Sequence, residues 1–132
     1  ISLILSCKGL SNILLILLPH TNKTENLVNI SNMRLLKNNS YIINAGRGHI
    51  INDEDLLNML EIGQIKHATL DVFRKEPLPK SHKFWKNSNI TISPHIAAVT
   101  RPKSSSKIII KNILKIEKNI TPPGLVNIKK EY

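Results

Sequence analysis

Tyr41-Ile42-Ile43-Asn44-Ala45-Gly46-Arg47-Gly48 is the stretch that decides the fold. An apolar, β-branched run of strand length leads into an arginine set between glycines. A strand therefore ends in a tight turn that holds a fixed cation. The arrangement recurs downstream. The strand His67–Val72 runs into Asp71-Val72-Phe73-Arg74-Lys75-Glu76-Pro77, and the strand Ile90–Ser93 runs into Ser93-Pro94-His95-Ile96-Ala97-Ala98. Strands separated by helices imply parallel, right-handed connections in an α/β sheet. Ligands bind such sheets outside the carboxyl ends of the strands. A cation, a carboxylate and an imidazole thus arrive at one edge, which points to an enzyme.

Working outward, Ile13–Leu18 reads as a buried parallel strand ended by Pro19. The polar turn 19–24 follows, and Thr24 or Ser31 is expected to cap a short helical segment with Ile30, Met33, Leu35 and Leu36 on its face. Asn52 or Asp53 is expected to cap a helix with Asp53, Glu54 and Asp55 in its first turn and Leu56, Leu57, Leu60 and Met59 available for the apolar stripe. Gly63 stops it. The 77–89 stretch, with its two prolines and Trp85, reads as an ordered loop. A last helix is expected from about Lys103 to Asn119, with Lys103, Lys107, Lys111 and Lys115 along one solvated face.

At 132 residues the chain is one domain or less. Its hydrophobic fraction of 41% is ordinary, and with only 4% aromatic residues the core must be built from Ile, Leu and Val. The net charge of +10 is mostly lysine, scattered among Asn and Ile without aromatic–basic interleaving. That pattern argues against a nucleic-acid partner. The apolar start is broken by Lys8, Gly9, Ser11 and Asn12, so neither a leader nor a membrane span is expected. The single cysteine, Cys7, excludes an internal disulfide, reads as a buried inert thiol, and suits a reducing compartment such as the cytoplasm.

Arginine offers a planar fork that grips a carboxylate and stays charged at any working pH. Beside a 2-oxo acid, Arg47 would hold the carboxylate and polarise the keto oxygen; alternatively it caps a helix or meets Asp53. His95, placed just past its strand by Pro94, would deliver a proton to a forming alkoxide. Glu76 would be its partner, since a bonded carboxylate favours imidazolium. The bland alternatives are a satisfied histidine and a surface carboxylate. Asp71 reads either as an acceptor for a carboxamide NH2 or as a turn cap. His20, His49, His67 and His82 lack metal-ligand spacing, and no metal is expected. The five glycines do not form Gly-x-Gly-x-x-Gly.

Taken in order, these motifs resemble the carboxy-terminal part of the D-isomer-specific 2-hydroxyacid dehydrogenases, over nearly the whole chain. Leu18-Pro19-His20-Thr21-Asn22-Lys23-Thr24 is similar to that family's strand-to-helix turn, Asn44–Gly48 to its arginine motif, Asp71–Pro77 to its aspartate and glutamate motif, and Pro94-His95-Ile96-Ala97-Ala98 to its histidine motif. Glu76-Pro77-Leu78-Pro79 with Phe84-Trp85, and Ala97-Ala98-Val99-Thr100-Arg101-Pro102, resemble its glyoxylate/hydroxypyruvate reductase A branch.

The resemblance implies that Arg47 binds and polarises the substrate, that His95 is the acid/base and that Glu76 orients it. It implies that Leu18, Ala45, Gly46, Arg47, Asp71, His95, Ile96, Ala97 and Ala98 border a nicotinamide cofactor, NADPH in preference to NADH. The implied fold is part of a Rossmann-type doubly wound parallel sheet. Residues 1–102 would be the carboxy-terminal half of an NAD(P)-binding domain. Residues 103–132 would be a helix and tail returning to a substrate domain not in this chain. The implied substrate is a small 2-oxo acid such as glyoxylate or hydroxypyruvate, and the intact enzyme a homodimer. A non-catalytic remnant or interaction module, or another D-2-hydroxyacid dehydrogenase, stands as the alternative.

Overall fold

The computed structural model describes residues 12–98, 100–127 and 129. The expectations for Cys7, for Val99 and for most of the tail past Asn127 lie outside these residues. In chain order the elements are β1 (Ile13–Ile16), α1 (Ile30–Met33), β2 (Ser40–Asn44), α2 (Asp53–Glu61), β3 (Ile65–Leu70), β4 (Ile90–Ile92) and α3 (Pro102–Glu117). The strands form a parallel four-stranded sheet in the order β1-β2-β3-β4. Its register aligns the strand ends. Ile16 lies opposite Asn44, Asn44 opposite Leu70, and Leu70 opposite Ile92.

The expected buried first strand is corrected. Among the described residues β1 lies at the edge of the sheet; it ends at Ile16, with Ile13, Leu15, Leu17 and Leu18 exposed and Ile16 buried. Its burial alternates because successive side chains point to opposite faces of the sheet, and the described residues bury one face more fully than the other. The interior strands are covered on one face. Ile42, Ile65 and Ala68 are fully buried, as are Leu56 and Met59 of α2. Leu56, Met59 and Leu60 stand at i, i+3 and i+4 and form the buried stripe, whereas Leu57 is only partly buried.

Asn52 caps α2, its Oδ1 accepting from the Asp55 N–H at 3.1 Å, and the acidic first turn faces the positive end of the helix. Gly63 follows the helix in a left-handed conformation (φ 77°). The cap of α1 is a correction. Neither Thr24 nor Ser31 caps it: Asn29 does, accepting from the Asn32 N–H at 3.2 Å. Thr24 is spent inside the preceding turn, donating to the Pro19 carbonyl at 2.8 Å. The 77–89 loop contains a 3-10 turn, Lys83–Lys86, seated by buried Phe84.

The loops after β1, β2 and β3 are fastened by one side chain. Arg74 donates to the carbonyls of Ile51 (2.6 Å) and His49 (3.2 Å) and to the Asn26 side chain, and faces Asp53 and Glu25 at 3.7 Å. Asp53 thereby meets Arg74, not Arg47. A second compact unit begins at Ala98 and contains α3. Pro102 opens that helix; of the expected solvated lysine row Lys103, Lys107 and Lys111 are exposed and Lys115 is half-buried, and Ile109, Ile110, Ile113 and Ile116 are exposed too.

The Arg74 cluster predicts a contrast in stability. Arg74→Ala leaves several partners unsatisfied and should cost about 2–3 kcal/mol in urea unfolding. Lys83→Ala removes only an exposed 2.9 Å pair with Glu54 and should cost under about 0.5 kcal/mol. Equal losses would contradict the assignment.

Candidate active site

Asn44 ends β2 fully inside the protein, 1% exposed. Its side chain shapes the arginine turn: Oδ1 accepts from the Gly46 N–H and Nδ2 donates to the Arg47 carbonyl, both at 3.1 Å. The glycines are required by close approach. A Cβ on Gly46 would lie 2.7 Å from the Leu18 carbonyl oxygen, and one on Gly48 only 2.0 Å from the Phe73 carbonyl carbon. The turn is therefore pressed between the ends of β1 and β3. Arg47 itself stays exposed, its Nη1 donating to the Gly46 carbonyl at 2.7 Å.

Glu76 and His95 meet across the neighbouring loops. Glu76 Oε1 accepts from the Phe73 N–H at 2.9 Å, and Oε2 lies 2.8 Å from His95 Nδ1. A carboxylate only accepts, so Nδ1 carries the proton and Nε2 is left for other chemistry. The bond from His95, then that from Phe73, hold Glu76 below the usual carboxylate range; burial opposes them, and the charges of His95 and Arg47 add. Arg47 thus shares the electrostatic neighbourhood of the pair. The side chains are half open, 50% exposed for His95 and 36% for Glu76, so a ligand can reach them.

Asp71 is 5% exposed and serves the histidine turn. Its Oδ1 accepts from the Ser93 hydroxyl (2.5 Å) and the Ile96 N–H (2.9 Å), and its Oδ2 from the Ala97 N–H (2.9 Å). Burial pushes its pKa up, but Ser93, Ala97, Ile96 and the His95 charge together outweigh burial and hold it below the usual value. Of the two readings of Asp71, the turn cap is present. A carboxylate offers about four acceptor positions, and these three donors leave one on Oδ2. An NH2 donor at the strand ends could still be accepted there. Exposed Leu18 and Ile96 offer apolar surface at the ends of β1 and β4.

A cavity of about 450 Å³ adjoins the pair, walled by Phe73, Leu78, Trp85, Ile92 and Pro94 with Glu76 and His95. A groove of about 700 Å³ beside α2, lined by Glu54, Asn58, Glu61, Lys83 and Asn89, carries none of the motif residues. The other histidines are structural: His20 stacks on His49 with ring centroids 4.3 Å apart, and the His82 ring accepts from the Phe84 N–H at 3.3 Å. His67 bonds Thr91 at 2.9 Å. Sequence reasoning gave no role to Asn44, Arg74 or Ser93. Asn44 and Ser93 carried a signal of position, a polar residue at a strand end, whereas Arg74 lies in a loop and its partners are in other loops.

Comparison with known proteins places the chain in a family. Residues 8–97 match the family model described as D-isomer specific 2-hydroxyacid dehydrogenase, NAD binding domain. The chain is 43% identical over 122 residues to a glyoxylate/hydroxypyruvate reductase A of Yersinia enterocolitica, covering 92% of this chain and 39% of that protein. An NADPH-dependent glyoxylate/hydroxypyruvate reductase from Sinorhizobium meliloti, solved with NADP and sulfate, superposes with a TM-score of 0.92 at 29% identity, over 99% of this chain and 43% of that one. A Xanthobacter autotrophicus dehydrogenase solved with NADPH and MES gives 0.89 at 33% identity, over 92% and 50%. The chain thus spans about two fifths of the length of the curated relative. On the strength of the matched domain, this chain belongs to the D-isomer specific 2-hydroxyacid dehydrogenase family.

Proposed function

We propose that the chain supplies the cofactor-side half of a reductase acting on glyoxylate or hydroxypyruvate, with NADPH preferred to NADH. The observation that carries this reading is the 2.8 Å Glu76–His95 bond, with the Arg47 turn leaving the same aligned edge of the sheet. Arg47 would bind the substrate carboxylate and draw charge toward the keto oxygen. His95, oriented through Nδ1 by Glu76, would give a proton to that oxygen from Nε2. The remaining Oδ2 position of Asp71 would accept the carboxamide NH2 of the nicotinamide. Leu18, Ala45, Gly46, Ile96, Ala97 and Ala98 would border it. When bound, the cofactor supplies hydride to C2. Residues 1–102 would belong to the cofactor domain and 103–132 would return to the substrate domain. The intact enzyme is read as a cytoplasmic homodimer.

Alone, the 132-residue chain should oxidise NADPH with glyoxylate slowly or not at all. Joined behind the amino-terminal portion of the Yersinia enterocolitica relative, it should turn over. In that chimera Arg47→Ala should lower kcat/KM about 10²-fold or more. His95→Ala should lower kcat about 10²–10⁴-fold. A folded chimera that binds NADPH yet gives no turnover would favour a non-catalytic remnant.

The depressed Glu76 pKa also fixes a pH dependence. A carboxylate held low stabilises the fold fully above its unfolded pKa, about 4.3 for Glu, and loses that contribution as pH falls through the folded value. Urea unfolding followed by Trp85 fluorescence should show acid destabilisation below about pH 4.3 that Glu76→Gln reduces. An unchanged acid profile in the variant would contradict the pairing.

A further inference from the structure

His95 sits in a left-handed backbone conformation, φ 55°, which a non-glycine residue keeps only when its surroundings enforce it. The enforcement comes from one residue. Three successive N–H groups converge on Asp71: that of His95 reaches its carbonyl oxygen at 2.9 Å, that of Ile96 its Oδ1 and that of Ala97 its Oδ2, each also at 2.9 Å. Successive amides turned inward in this way form an anion-binding concavity. In this protein the Ile96 and Ala97 amides close on the chain's own carboxylate, and the His95 amide on the backbone carbonyl of the same residue.

Ser93 stands at the junction of strand and turn. Its N–H donates to the Leu70 carbonyl at 3.0 Å, continuing the β3–β4 ladder, while its hydroxyl donates to Asp71 Oδ1 at 2.5 Å. Pro94 has no N–H to contribute, so the hydroxyl acts where an amide is missing. The ionic charge that faces Asp71 is that of His95, and its other donors are neutral. The hydroxyl is therefore the side-chain donor that aims the carboxylate.

We propose that Ser93 is a positioning residue for His95, acting through Asp71: its hydroxyl fixes the carboxylate that binds the Ile96 and Ala97 amides of the turn that starts at His95. The importance of positioning His95 rests on the catalytic reading above. The latch itself does not, and its test reads backbone amides, not turnover, so either can fail without the other.

The test is amide exchange and carboxyl titration by NMR on the full 132-residue chain. Ile96 and Ala97 amides should be protected at pH 7 and lose protection together as Asp71 protonates. In Ser93→Ala their exchange should quicken about tenfold and the acid transition should move to higher pH. Amides of α2, such as Leu60, should not change. Ser93→Thr keeps the hydroxyl and should restore both properties. A merely structural serine would loosen remote amides equally and leave the acid transition in place. Wild-type behaviour in Ser93→Ala, or no rescue by Ser93→Thr, overturns the proposal. If Ser93→Ala does not fold, the unaltered chain decides: unprotected Ile96 and Ala97 amides at pH 7, or protection that outlasts Asp71 protonation, also overturns it.

Discussion

Everything at this site depends on the parallel register that lines up Ile16, Asn44, Leu70 and Ile92 across the sheet. Parallel strands all finish at the same edge, so segments distant in sequence leave from neighbouring points. Arg47 lies three residues beyond this row, Asp71 one and His95 three. Adjacent strands are about 4.8 Å apart, so the arginine and histidine turns start about 10 Å from each other. An arginine side chain and an imidazole can close most of that distance. Antiparallel pairing would send the motifs to opposite edges.

A strand end is also where backbone polar groups lose their ladder partners, and the protein spends its buried side chains there. Asn44 satisfies the arginine turn, and its carbonyl accepts the Asp71 N–H at 2.9 Å. Asp71 in turn satisfies the histidine turn. One line of hydrogen bonds therefore runs from Arg47 through Asn44 and Asp71 to His95. A left-handed residue costs on the order of 1–3 kcal/mol, and two amide bonds and a hydroxyl bond to one carboxylate are of the size needed to offset it. Tight glycine contacts at Gly46 and Gly48 keep the turns from drifting apart.

Much of this was legible in the sequence, because it is encoded locally. Strand followed by turn motif, the Asn52 cap and the Gly63 stop each lie within a few residues of what they control, and all hold in the structure. The family could be read from motif order alone. What was misread depends on distant partners. Ile13–Leu18 is uniformly apolar, but burial depends on which face distant segments cover, and of β1 only Ile16 is fully covered among the described residues. The Arg74 clasp joins residues 23 and 25 positions away, invisible to any local pattern. Asn29 displaced Thr24 and Ser31 as a cap because Thr24 had a nearer turn to close.

The central claim is convergence: Arg47 and His95 serve one small ligand. The most direct measurement is a crystal structure of the chimera with NADP and oxamate, a non-reacting mimic of a 2-oxo acid. The account predicts the Arg47 guanidinium and His95 Nε2 both within about 3.2 Å of the same oxamate molecule. Oxamate held by one of them while the other points to a separate region would contradict it.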